Sequence, residues 1–134
     1  DPKRQYWLGD VRATSHMDVF ASTHTCLAAL RDFSLPGGRL TIVNNGAAGM
    51  PNFRGTGFGV ITRIATSASP HRPLYGLQRD GVHIDAVAVE YDRRAFLGRF
   101  LARWPKGSPG HASYYRRIVD GPDYTIAQAR AAAR

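Results

Sequence analysis

Cysteine is almost absent: Cys26 stands alone in 134 residues, so no internal disulfide can form, and packing, metal ligation or reactivity remain as its uses. That usage fits a reducing, cytoplasmic compartment. Long apolar runs are missing too. Nothing approaches the roughly 18 consecutive apolar residues of a membrane span, and the opening Asp1-Pro2-Lys3-Arg4-Gln5-Tyr6-Trp7 has no apolar signal core. A soluble protein without membrane partners is expected. Internal repeats and low-complexity tracts are absent, and 43% hydrophobic with 21% charged residues is ordinary globular usage, which excludes disorder, collagen and coiled coil. The length suits one compact unit.

Acidic residues are the other scarcity. Ten Asp and Glu face 18 Lys and Arg, for a net charge of +8, and the imbalance is local. Residues 93–134 hold nine basic groups against Asp120 and Asp123, leaving only +1 for residues 1–92. Sixteen of the basic residues are Arg, which grips phosphate and carboxylate in a bidentate fork. Yet no basic run exceeds two residues, and neither an RNA-binding aromatic motif nor the paired Cys and His of a zinc finger is present. Solvated arginines on helical faces are the plainer expectation, with nucleic acid as the alternative partner.

Residues 17–22 read as a short buried strand ending at Thr23-His24-Thr25-Cys26, the end of a strand where open α/β sheets place ligands. Leu27, Leu30 and Phe33 are spaced for one or two helical turns before Pro36-Gly37-Gly38. Arg39–Val43 is a strand running into Asn44-Asn45-Gly46-Ala47-Ala48-Gly49-Met50-Pro51, a small-residue loop. Strands are expected at Phe58–Ala65, Leu74–Arg79 and Val82–Tyr91, the last two joined by a type I′ turn at Asp80-Gly81. In the last strand His83 and Asp85 are expected on a wet face and Val87 and Val89 on a packed one. From Asp92 the period becomes helical through Phe96, Phe100, Leu101 and Trp104, until Pro105 and Gly107-Ser108-Pro109-Gly110 end it. The last ten residues are either a helix or a frayed end.

Side chains two apart on an extended segment point the same way, so His24 and Cys26 should project together, and imidazole and thiolate are both metal ligands. A lone His-x-Cys falls short of the three or four ligands a complete site needs. With the loop some 20 residues later, however, the pair forms a recognisable order. Thr23-His24-Thr25-Cys26 and Asn44 to Pro51 resemble the closing motifs of calcineurin-like metallophosphoesterases: Gly-His-Thr-His after an apolar strand, then a strand and Asn-Pro-Gly-Ser-x-Gly-x-Pro. The likeness continues through the Phe58–Ala65 strand, the Asp80-Gly81 hairpin and Tyr91-Asp92, covering about residues 17–92. Residues 105–134 match no pattern of the family.

The resemblance implies an α/β fold: the C-terminal half of a four-layer αββα sandwich, mainly a β meander followed by C-terminal helices. Residues 1–92 would be the motif-bearing half and residues 93–134 an Arg-rich helical tail. It further implies hydrolysis of phosphate esters at a binuclear centre of two divalent ions (Mn, Fe, Zn or Mg), with His24 and Cys26 as metal ligands and no catalytic residue of another kind. Asn44 and Asn45 would steady the loop or reach a substrate phosphate oxygen, the substrate being a phosphorylated small molecule or a phosphodiester. Thr23 replaces the motif's Gly, Cys26 its second His, Asn45 its Pro and Ala47 its Ser. The family's upstream Asp-x-His, Gly-Asp and Gly-Asn-His motifs do not precede residue 17. The expected partner is therefore the missing N-terminal half of the same domain, and residues 1–134 alone should be inactive. A degenerate, non-catalytic phospho-ligand module is the alternative within the family. Asp10, in a superficial Gly9-Asp10 match, is expected in a loop; His16, His71, His83 and His111 are expected to be structural or superficial.

Overall fold

The computed structural model describes residues 2–47 and 49–130; Ala48 of the second motif lies outside them. The fold is mixed α/β, with two small three-stranded sheets and four helices among the described residues. Helix α1 spans Pro2–Ser15, and strands β1 (Val19–Ser22), β2 (Ala29–Leu35) and β3 (Gly38–Asn44) make the first sheet, in the order β1-β3-β2. Strands β4 (Gly59–Ala65), β5 (Tyr75–Arg79) and β6 (Val82–Val89) make the second, in the order β4-β6-β5. Helices α2 (Arg93–Arg103), α3 (Pro109–Asp120) and α4 (Ile126–Arg130) follow.

Pairing in the second sheet is wholly antiparallel; in the first, β2 and β3 form a hairpin and β1 runs parallel to β3. Two tight turns set the hairpin registers. Pro36 followed by Gly37 at φ +84° suits a type II turn, and Asp80 and Gly81 at φ +50° and +78° form the expected type I′ turn. Alternation along the strands then sorts side chains into layers. Leu30 and Val43 face Val60, Tyr75, Ile84 and Ala86 across the sandwich, with Phe53 closing it from the loop after β3. Phe53 stacks on Tyr124 (6.1 Å) and meets Tyr75 edge-on (6.4 Å). On the other side of the first sheet Leu35 and Leu40 bury Leu8 of α1, with Phe20, Phe33 and Ile42 around them. Arg12 locks that helix down, donating to Asp18 and to the Gly37 and Arg39 carbonyls.

Several expectations are corrected. Leu27–Phe33 is not helical: Leu30 and Phe33 serve opposite faces of β2, which a helical spacing cannot distinguish from sequence. Asp10 is an exposed residue of α1 rather than of a loop. His83, Asp85, Val87 and Val89 share one face of β6, the outer one, because residues two apart must; the inner face is Ile84 and Ala86. Asp85 is buried there, 3.4 Å from Arg63. The strand at residues 17–22 exists as β1, but its last two residues are exposed, since β1 pairs on one side only. His111 lies within α3, stacked on Tyr115, because Ser108 caps that helix by accepting the His111 N–H and Pro109 occupies its first turn.

Residues 93–130 are mainly helical, and their last ten are joined to the sheets. Arg54 and Gly55 N–H donate to the Tyr124 and Asp120 carbonyls (both 2.8 Å), and Arg31 donates to the carbonyls of Gln128 and Ala129. Residues 131–134, part of the expected terminal helix, lie outside the described residues.

Candidate functional site

Parallel pairing of β1 with β3, in the register Ser22 opposite Asn44, delivers both motif loops to the same end of the first sheet. There a hydrogen-bond web joins them. Asn44 is buried; its Nδ2 donates to Ser22 Oγ (3.0 Å) and Thr25 Oγ1 (2.8 Å), while its Oδ1 accepts the Gly46 N–H (2.7 Å). Thr23 Oγ1 donates to the Gly46 carbonyl (2.9 Å), and the Asn45 N–H to the Ser22 carbonyl (3.1 Å). Behind them Asn52, wholly buried, accepts the Ala47 N–H (2.7 Å) and donates back to the Ala47 carbonyl (3.2 Å). Gly46 is required at this point. Its φ is +78°, and a Cβ would stand 2.1 Å from Asn52 Oδ1.

The first loop is a β-turn closed by Cys26 N–H to the Thr23 carbonyl (3.1 Å), with His24 and Thr25 at its middle. The alternation argued from an extended segment therefore does not apply to His24 and Cys26. Cys26, at φ +53°, is exposed and turns its thiol toward the His24 carbonyl (3.5 Å). Thr23 does without glycine's freedom: the left-handed residue of the turn is Cys26. The imidazole of His24 is exposed and makes no hydrogen bond among the described residues. Arg117, from α3, steadies the turn by donating to the Cys26 carbonyl (3.0 Å), a role with no signal in the sequence.

Asn44 has every polar atom engaged in holding the loops, so it steadies. Asn45 is half-buried and donates to the Val60 carbonyl (3.4 Å), tying the loop to β4. Among the described residues no three His, Cys, Asp or Glu side chains gather closely enough to hold a metal ion. His24 and Cys26 are accessible donors that suit a cation only as part of a larger ligand set. The other histidines are dispersed: His16 and His71 are exposed, and His83 is half-buried on the outer face of β6. None joins the two loops.

No family model matches the chain, and neither the curated proteins nor the solved structures provide a match. No helix among the described residues is long and apolar enough to cross a membrane.

Proposed function

We propose that this chain is the C-terminal half of a metal-dependent phosphoesterase domain of the calcineurin-like kind and supplies its last ligand motif. The observation that carries the reading is the joining of the Thr23–Cys26 turn to the Asn44–Ala47 loop at one end of a parallel strand pair. Two short loops some 20 residues apart are thereby held as one rigid surface bearing an open imidazole and a thiol.

The sheet edges favour the same reading. Helix α4 packs on β2 and β5, whereas on the other side of the sandwich no further strand among the described residues pairs with β1 or β4, and β4 meets there the Asn45 side chain at its Val60 carbonyl. Ile64 belongs to the inner face of the second sheet, opposite Ile84, yet is 48% exposed; Ile61 on the outer face is 50% exposed. Exposed apolar side chains on both faces of an edge strand suit further pairing. We assign that role to an N-terminal half of the domain, which would complete the four-layer sandwich and bring the remaining metal ligands to His24 and Cys26.

What two divalent cations supply in such chemistry is an activated water and charge stabilisation on the phosphoryl and leaving oxygens. His24 and Cys26 would hold part of that charge in place, and Asn44, Thr23 and Arg117 keep their turn rigid. The test is metal analysis and phosphodiester hydrolysis with the chain joined to the segment that precedes it. Two equivalents of metal and turnover, both lost in His24→Ala with the fold intact, are expected. At most one equivalent without turnover supports the degenerate alternative, which the thiol turned onto its own loop favours. Absence of metal binding overturns the metal-site reading.

A further inference from the structure

Between Arg93 and Val119 the chain carries seven basic residues and no acidic one. Three of these are engaged: Arg93 donates to the Val119 carbonyl (3.2 Å), Arg117 to Cys26, and Arg116 pairs with Asp120 (3.7 Å). Arg94, Arg99, Arg103 and Lys106 are exposed and make no ion pair or hydrogen bond among the described residues. Arg99 and Arg103 stand one helical turn apart, so their like charges repel with no carboxylate between them. The chain then turns at Trp104-Pro105-Lys106 into α3.

Trp104 is placed unusually for so large a side chain. Three atoms of its indole lie 2.3 to 2.7 Å from where a Cβ of Gly110 would stand, so a face of the ring rests on the α3 backbone, which only glycine permits. The residue is nevertheless 41% exposed, and Tyr114, one helical turn beyond Gly110, is 50% exposed. An indole supported on one face, a second exposed ring and unpaired cations nearby are what single-stranded nucleic acid binds: phosphates take the cations and unpaired bases stack on the rings.

We propose that the α2–α3 corner binds single-stranded nucleic acid, with Arg99, Arg103 and Lys106 on phosphates and Trp104 and Tyr114 stacking bases. Duplex offers no free base face to the rings. A lipid surface suits the corner less, because an interfacial helix needs its apolar face turned outward, and Phe96, Leu97 and Phe100 of α2 are half-buried against the protein. The proposal stands independently of the phosphoesterase reading.

Fluorescence anisotropy with a labelled oligothymidylate tests it, alongside a duplex and vesicles containing phosphatidylserine. Binding of the single strand is expected, weakening about 18-fold between 50 and 200 mM salt, as roughly three neutralised phosphates imply. Arg99→Ala with Arg103→Ala, at two exposed positions, should remove most of that salt dependence. Trp104→Ala should weaken binding about tenfold, and Trp104→Phe, which keeps a ring on Gly110, should restore most of it. No binding at the lower salt, equal affinity for duplex, capture by vesicles alone, or indifference to the paired arginine change would each overturn it.

Discussion

Asn44 and Asn45 are neighbours of the same type with unequal work. Asn44 satisfies three partners from two loops while buried, so Asn44→Ala leaves a hydroxyl pair and a backbone N–H without their contact and should cost about 1 to 3 kcal/mol in urea denaturation. Asn45→Ala, which loses one 3.4 Å bond, should cost well under 1 kcal/mol. Tyr75 makes a prediction in pH. Its hydroxyl is buried without a hydrogen-bond partner among the described residues, and burial first, then the neighbouring Tyr124, push its pKa from 10.0 up to about 12, against a smaller opposing effect of Arg31. The folded state therefore keeps Tyr75 neutral where the unfolded chain would ionise it. The stabilisation is whole below pH 10 and is lost as pH rises toward 12, by roughly 2 kcal/mol. Tyr75→Phe should remove that alkaline loss and, by deleting an unsatisfied hydroxyl, leave stability at neutral pH unchanged or about 1 kcal/mol higher, as measured by urea melts across pH.

Among the elements, those set by local sterics were readable. Asp80-Gly81 announces a hairpin because few residue pairs tolerate two positive φ values, and the Asp92 cap, accepting the Ala95 N–H, opens α2 where the period changes. Helix α3 falls within the expected helical tail and starts at the Ser108-Pro109 signal, whereas α1 has no such sign in the sequence, because among its described side chains Leu8 alone is buried, too little for an apolar stripe. β2 misled because its apolar residues divide between two cores. β4 is an edge strand with exposed apolar side chains on both faces: Ile61→Lys, at an exposed position, should leave stability within about 0.5 kcal/mol of the parent in urea denaturation.

For the whole molecule the decisive contacts are those between the chain's end and its beginning. Phe53 on Tyr124, the Arg54 and Gly55 amides on α3 and its following loop, and Arg31 on α4 make residues 121–130 part of the sandwich. Ending the chain at Gly121 should remove about 3 to 5 kcal/mol, the scale of losing a buried aromatic partner, and appear as a lower urea midpoint. Asp32 adds a second long-range link, pairing with Arg39 on its own sheet and with Arg79 (3.2 Å) on the other. Residue order alone determined the turns, the change from strand to helix at Asp92, the concentration of positive charge after it and the two loop sequences, because each depends on backbone sterics or composition within a few neighbours. Only the tertiary structure decided that β1 lies parallel to β3 with Ser22 beside Asn44, that Asn44 joins the two loops, and that Arg117 from far along the chain supports the Cys26 turn. Those outcomes depend on which faces exclude water together, a property of the assembled layers that no local stretch of chain carries.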